Sequence, residues 1–147
     1  MAIQVGGTTV VDNSRNLTNI QSATLANTIT TVRINEGIVE LGNTHTNPNI
    51  NLFAGTVFRA TLNANATFTL QNATAVSANV SSFTLILQND PTAGRSVAWT
   101  GANFRFPFGS SSLGRTTGAG NVDVWFFFTP DKGTTWYGAI PMKDMLS

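Results

Sequence analysis

The sequence predicts an all-β protein: an antiparallel β-sandwich or jelly-roll-like domain that follows an extended N-terminal arm. Short runs of β-branched and aromatic residues recur between turn formers, as they do in two-sheet β proteins. Thr and Asn are abundant, which suits strands and turns better than helices. With 147 residues, 41% of them hydrophobic, the chain is long enough for one domain with a core. We therefore predict an arm over residues 1–40 and a β domain over residues 41–147.

The arm begins with a predicted hairpin, because two β-prone runs flank the turn-forming pair Gly6-Gly7. Residues 12–16 predict a turn, residues 21–27 form the one plausible helical patch, and residues 28–34 are strand-like. The apolar residues of the arm are too few to form a core of their own. We expect them to lie on the main domain or on a neighbouring protein. The predicted contact residues are Ile3, Val5, Val10, Arg15, Leu17 and Ile20.

Beyond a loop around Pro48, strand signals recur along the whole domain. Phe83, Leu85 and Leu87 alternate with more polar neighbours, as a strand with one buried face requires. Turn-forming residues separate the runs, for example at 63–65 and 89–94. The predicted strands are residues 56–62, 66–70, 82–89, 96–100, 122–129 and 134–140.

One long segment, residues 101–120, has no clear strand signal. Loops of this length inside a compact domain are usually functional. Its aromatic residues Phe104 and Phe106, together with Trp99 just before it, are candidates for stacking against a sugar ring. Burial of these aromatics in the core is the simpler alternative.

The predicted strand 122–129 is the centre of the domain, and both of its faces carry bulky apolar residues. A half-exposed strand should alternate apolar and polar side chains, so Trp125 and Phe127 need cover in addition to the apolar face. Either another layer of this chain or another subunit covers them. We favour another subunit and predict a subunit interface at Trp125, Phe127 and Asp123, with Asp123 paired to Arg95 or Arg105 inside the fold or at the interface. One face holds Val122, Val124, Phe126 and Phe128, and the other holds Asp123, Trp125, Phe127 and Thr129.

The next segment, T-P-D-K-G-T-T-W, fits the pattern S/T-x-D-x-G-x-T-W and resembles the Asp-box hairpin of sialidase-type propellers. A propeller repeats its blade at least four times, and this chain has one copy. We interpret the segment as a structural hairpin. Asp131 should accept hydrogen bonds from the loop, Gly133 should take a positive φ, Thr135 belongs to the same pattern, and Trp136 should pack beneath the turn.

Composition excludes several classes of function. The net charge is +1 and the six arginines are scattered, which argues against a nucleic-acid or anionic-membrane surface. There is no cysteine, and the single histidine, His45, lies in an Asn/Thr-rich loop without a neighbouring acid or nucleophile. We expect no enzyme activity, no metal and no cofactor. The N-terminus lacks signal-peptide features and no run is apolar enough to span a membrane, so we expect cytoplasmic synthesis.

Five segments carry a resemblance to a known group of proteins. They are V-G-G-T-T-V-V-D-N-S-R-N-L-T-N-I at 5–20, F-T-L-I-L-Q-N-D at 83–90, G-R-S-V-A-W at 94–99, G-A-G-N-V-D-V at 118–124 and T-T-W-Y-G-A at 134–139. These segments resemble a module of tailed-bacteriophage virion proteins, found in tail fibres and small head proteins of phages that infect cyanobacteria and other marine bacteria. The resemblance covers the opening twenty residues and most of 83–139, and residues 21–82 carry little of it. It implies a homotrimer without chemistry.

We therefore predict a trimeric capsid decoration, or cement, protein on the outer surface of a phage head. The arm would bind the major capsid protein and stabilise the shell. A fibre needs a long shaft, often repetitive or coiled, and the chain shows neither repeats nor heptads. The alternative is a tail-fibre or receptor-binding module that contacts host glycan. A glycan hydrolase that depends on His45 or on a carboxylate pair is the remote alternative.

Overall fold

The computed structural model describes residues 3–5, 8–11, 36–44, 48–73, 80–90, 95–109 and 118–146. The chain divides into two units, Met1–Ile34 and Asn35–Ser147, so the division falls before the predicted boundary at residue 40. The described elements are β1 (Ile3–Val5), β2 (Thr8–Val11), β3 (Ile38–Asn43), β4 (Asn49–Asn51), β5 (Val57–Leu62), β6 (Ala66–Gln71), β7 (Ser81–Asn89), β8 (Val97–Thr100), β9 (Asn103–Arg105), a 3-10 turn (Pro107–Gly109), β10 (Val122–Thr129) and β11 (Thr135–Met145).

The first unit contains the predicted hairpin. β1 and β2 pair antiparallel, with Val5 opposite Thr8, as expected for strands that flank Gly6-Gly7. Ile3, Val5 and Val10 lie on these strands. The other predicted contact residues of the arm, Arg15, Leu17 and Ile20, lie outside the described residues, as do the helical patch 21–27 and the strand-like run 28–34.

The second unit is built from two sheets that the chain visits in alternation. In the described residues, one sheet has the order β3-β5-β7-β10-β11-β9 and the other the order β4-β6-β8. From β3 to β8, each odd strand joins the first sheet and each even strand the second. Each new strand lies parallel to its predecessor in the same sheet. This is the path of a short β-solenoid, in which every coil gives one strand to each sheet.

The all-β prediction is confirmed, and the pairing is more varied than predicted. The ladders β7–β10 and β10–β11 are antiparallel. The ladders that join successive coils, and the ladder β9–β11, are parallel. Alternation with a period of two is common to both kinds of strand, so the sequence pattern does not distinguish them. Parallel neighbours need a long crossover. Between β3 and β8 each crossover contains a strand of the opposite sheet, whereas the connection from β9 to β11 contains β10 of the same sheet.

The core lies on the inner side of the two sheets. Alternate residues of β5, β6 and β7 are buried, and their side chains form one cluster with Ile50, Trp125, Phe127 and Trp136. The predicted strands correspond to β5, β6, β7, β8, β10 and β11, with ends shifted by a residue or a few. Three strands of the structure do not coincide with predicted strands. β3 lies in a stretch for which no strand is predicted, β4 lies within the predicted loop around Pro48, and β9 lies within the segment 101–120.

Candidate functional site

β10 places its mixed face inside and its wholly apolar face outside. Asp123, Trp125, Phe127 and Thr129 are each at most 1% exposed in the isolated chain, whereas Phe126 and Phe128 are each 40% exposed. The alternation that the sequence indicates is therefore present, with the opposite assignment of faces. A strand that buries an Asp and a Thr while it presents Phe rings to solvent is unusual for a monomeric protein.

The predicted subunit interface at Trp125, Phe127 and Asp123 is therefore wrong. Phe127 stacks on Phe83 of β7 with ring centroids 4.6 Å apart, and it lies 4.5 Å from the ring of Trp99 of β8. Trp125 is likewise enclosed, 5.5 Å from Trp99. The cover that these side chains need comes from the second sheet and the adjoining strands of the same chain.

Asp123 is also buried, and its side chain makes a contact inside the chain. Its Oδ1 accepts a hydrogen bond from the backbone N–H of Asp144 at 3.0 Å, which holds the end of β11 where the β10–β11 register shifts. Arg95, one of its two expected partners, instead forms a salt bridge with Asp90, with Nη2 and Oδ2 3.2 Å apart. The buried carboxylate thus takes part in a structural contact between strands.

The outer side of β10 and β11 forms one continuous apolar surface, which we call the outer apolar face. Residues directly opposite one another on neighbouring strands share a face, and every outward pair on these strands is apolar or aromatic. Phe126, Phe128 and Tyr137 form a row of stacked rings, with centroids 6.5 and 5.4 Å apart. The four pairs are Val122 with Met145, Val124 with Met142, Phe126 with Ala139 and Phe128 with Tyr137.

The outer side of the sheet is more mixed on the other strands. On β3 and β5, Glu40 lies opposite Arg59, and the two side chains form an exposed salt bridge with an Nε–Oε2 distance of 3.0 Å, while Ile38, which is 46% exposed, lies opposite Val57. On β7, Ser82 and Thr84 lie opposite Phe128 and Phe126, and Ile86 lies opposite Val124. Polar and apolar side chains are thus mixed up to β7, whereas the outward pairs of β10 and β11 are apolar or aromatic. A contiguous exposed apolar patch is typical of a contact surface.

A groove of about 500 Å³ opens on the outer apolar face, over the small side chain of Ala139. Phe126, Phe128 and Tyr137 form one side, and Arg105 and Pro107 form the other, since β9 lies next to β11. Phe106 also lines the groove. Its ring packs so closely on Gly138 that a Cβ there would lie 2.5 Å from it. The lining is therefore almost wholly apolar, with one guanidinium at the rim.

The predicted sugar-stacking residues Trp99, Phe104 and Phe106 lie together, yet Phe106 is buried and the other two are partly buried against the core. Trp99 stacks on Phe68 at 5.1 Å, and its indole nitrogen is buried. The rings of Phe104 and Phe106 lie 6.3 Å apart, and Phe106 is 7% exposed. A sugar platform needs an open ring face, and packing within the chain has taken the face of Trp99. Among these three, only Phe106 reaches the groove.

The Asp131 hairpin has the geometry that its pattern indicates. Oδ1 of Asp131 accepts hydrogen bonds from the Thr129 hydroxyl at 2.8 Å and from the Thr135 N–H at 2.9 Å. Gly133 has a φ of 83° and donates its N–H to Thr129 Oγ1 at 2.9 Å. Trp136 is fully buried. These contacts fix the connection between β10 and β11, and so they fix the register of the outer apolar face.

Asp131→Asn is expected to lower the Tm at neutral pH and to remove one acid-dependent part of the stability. The Thr135 N–H, then the Thr129 hydroxyl, favour the carboxylate and lower the pKa of Asp131 below its ordinary value of 3.8. Because the folded pKa lies below the unfolded one, this stabilisation is complete above the unfolded pKa. It is lost as the pH falls through the folded pKa.

The measurement is the Tm of wild type and variant from neutral pH down to about pH 2. The two curves should approach one another in acid. A gap of constant size across that range would contradict the role of the Asp131 carboxylate.

In the described part of the chain, no cluster of three or more His, Asp or Glu side chains could hold a metal ion. His45, on which the hydrolase alternative depends, lies outside the described residues. Across the same described ranges, no helix is long and apolar enough to cross a membrane.

Comparison with protein-family models, with curated proteins and with solved structures gives no significant match. The outer apolar face and its groove are the main surface feature that sequence reasoning does not find. Residues 122–129 do carry a signal, because one face of this strand is entirely apolar, but such a face fits a core as well as a contact surface.

Proposed function

We propose that this chain is a non-enzymatic structural protein of a bacteriophage virion. It acts as a homotrimer, and its role is that of a capsid decoration protein on the outer surface of the head, bound to the major capsid protein. The single observation that carries the proposal is the outer apolar face. Four cross-strand apolar pairs stand outward on the central strands of a chain that buries Asp123 and Thr129 instead. Such a surface is stable in water when another protein covers it.

The exposed area is large enough for a specific contact. Phe126, Phe128, Tyr137, Met142 and Met145 are between 40% and 52% exposed. With about 200 Å² for a whole large side chain, they leave about 450 Å² in water. Stable interfaces bury about 800 Å² per partner, with an apolar centre and a polar rim. The outer apolar face therefore supplies the centre of a subunit interface, in place of the predicted one at Trp125, Phe127 and Asp123.

The N-terminal hairpin supplies the proposed contact with the capsid. An isolated two-stranded hairpin is at best marginally stable in water, so β1 and β2 need another surface to hold them. Ile3, Val5 and Val10 lie on these strands, and we retain them, with Arg15, Leu17 and Ile20, as the capsid-contact residues. Each bound trimer would add apolar burial worth about 25 cal/mol per Å². Hundreds of trimers on one shell would then stabilise it without any active site.

The proposal predicts an oligomer in solution and a high copy number in the virion. Native mass spectrometry of the purified protein should give three times the 15.6 kDa mass of the chain. Quantitative mass spectrometry of purified particles should find hundreds of copies per virion. Removal of residues 1–20 should abolish binding to capsids and leave the trimer intact. A monomer at micromolar concentration, or a handful of copies per particle, would contradict the proposal.

The second candidate is a tail-fibre or receptor-binding module that holds host glycan. The coiled path of β3 to β8 favours it, because coils of this kind extend by stacking and β3 forms one edge of its sheet. A glycan array separates the two candidates. Consistent binding to one sugar class would favour the fibre module, and a decoration protein should show none.

A further inference from the structure

We propose that the subunits are joined by a knob-and-groove contact, in which Phe108 of one copy inserts into the groove over Ala139 of the next copy. This inference rests on the proposed homo-oligomer and specifies its contact. Phe108 lies at the centre of the 3-10 turn Pro107–Gly109 and is 106% exposed, as open to water as a Phe in an extended peptide. Among the described residues it therefore has no side chain packed against it.

The backbone at Phe108 adds a second argument. Its φ of 61° and ψ of 21° lie in the left-handed region, which is unfavourable for a residue with a side chain. The next residue, Gly109, is of the type that adopts such a conformation without cost. A large apolar residue is thus held in a strained conformation and points into water. Strain of this kind persists mainly where function requires the geometry.

The groove fits a phenyl ring in size and chemistry. A dry cavity of about 150 Å³ accepts benzene, so a groove of about 500 Å³ has room for the ring and its neighbouring atoms. Its walls are the rings of Phe126, Phe128 and Tyr137, and its floor is Ala139. Aromatic walls around a small floor favour an aromatic insert, by edge-to-face or offset contacts. A polar ligand would find Arg105 and the Tyr137 hydroxyl, but few other partners among the lining residues.

A second copy of the chain fits this site better than an unrelated partner does. Pro107 lines the groove, and Phe108 is the next residue. Every copy of the chain therefore carries the inserting residue, Phe108, next to its own groove. Phe108 is too exposed to fill its own groove, whereas it can fill that of a neighbour. With Phe108 included, the apolar area that two copies could cover rises to about 650 Å² per chain, close to the ~800 Å² of a standard interface.

The first test is the loss of the knob. Phe108→Ala is expected to raise the dissociation constant of the oligomer at least about 30-fold in sedimentation velocity, as for an interface hot spot. Phe53→Ala is the matched control, because Phe53 is also an exposed turn residue, at 74%, and does not line the groove. It should leave the dissociation constant unchanged. Ala139→Trp, which fills the groove, should weaken association as Phe108→Ala does.

The second test is a directed disulfide, for which the cysteine-free sequence is well suited. A chain with Phe108→Cys is mixed with a differently tagged chain that carries Ala139→Cys, at a protein concentration above the weakened dissociation constant measured for Phe108→Ala, and the mixture is oxidised. A mixed disulfide dimer is expected, because a bridge forms only when the two Cα atoms come within about 7 Å. A chain with Phe53→Cys mixed with the Ala139→Cys chain should give none.

The outcomes separate this contact from the proposed function. If wild type is an oligomer that survives Phe108→Ala and gives no mixed disulfide, the knob-and-groove contact is rejected and the homo-oligomer stands. If wild type is a monomer, both are rejected. A monomeric Ala139→Cys chain whose thiol is protected from alkylation would show instead that a segment of the same chain covers the groove.

Discussion

Phe127→Ala should lower the free energy of unfolding by about 3–5 kcal/mol, the usual cost of removing a fully buried aromatic ring. Phe127 is fully buried, and its ring contacts Phe83 on the neighbouring strand and Trp99 of the second sheet. The same substitution one residue earlier, Phe126→Ala, should cost only about 1–2 kcal/mol in the monomer, because that ring is partly exposed already. Two adjacent Phe residues of one strand therefore give a direct test of which face is inside.

The two variants should differ again in their dependence on protein concentration. Association stabilises the folded chain by mass action, so the wild-type Tm should rise with concentration. Phe127→Ala should keep this rise, since its outer apolar face is unchanged. Phe126→Ala should reduce the rise or abolish it. Urea denaturation and thermal scans over a hundredfold range of concentration measure both effects. Equal costs for the two substitutions would contradict the assignment of faces on β10.

The sequence predicts the elements well because their signals are local. β-Branched and aromatic runs between turn formers locate β5, β6, β7, β8, β10 and β11. The Asp131 hairpin depends on contacts among residues no more than four apart, so its pattern specifies its geometry. The short strands β4 and β9 escape this reasoning. Each has three residues and is held by a parallel neighbour that is distant in sequence or reached through a crossover.

The coil path was not predictable from the chain for a related reason. Ile38 lies opposite Val57, and Val57 lies opposite Thr84, so successive coils differ in length. A solenoid is recognised in sequence by a fixed period. Coils of unequal length give no such period, and the sequence accordingly shows none. Parallel pairing between these coils is set by tertiary contacts, which local patterns do not specify.

The error at Trp125 and Phe127 has a more general cause. Alternation shows that two faces exist, but it does not show which one points inward. By polarity alone, the wholly apolar face of β10 fits a core and the face with Asp123 fits a contact with a partner, the reverse of what the structure has. The interior of this chain accepts Asp123 because a backbone N–H, that of Asp144, is available to it. Polarity of a single residue is therefore a weaker guide to orientation than the packing of neighbouring strands.

Gly101→Ala should destabilise the chain by about 3 kcal/mol or more, the sum of backbone strain and overpacking. Gly101 follows β8 with a φ of 86°, and a Cβ there would lie 2.3 Å from the carbonyl oxygen of Leu70. Backbone atoms of a neighbouring strand cannot move aside as a flexible side chain can. Either β8 must shift away from β6, or the fold must lose the contact.

Gly42→Ala is the matched control, because Gly42 also has a positive φ, 67°, while its Cβ would meet nothing within 4 Å. In this variant the free energy of unfolding should fall only by the cost of the left-handed backbone conformation, about 1–2 kcal/mol. The difference between the two variants in urea denaturation therefore measures the close approach of Gly101 to Leu70. Since Trp99 precedes this turn and packs on Phe127, Gly101→Ala should also alter the near-ultraviolet circular dichroism of the aromatic core. Equal losses for the two glycines would mean that the second sheet does not approach this turn as closely as the structure places it.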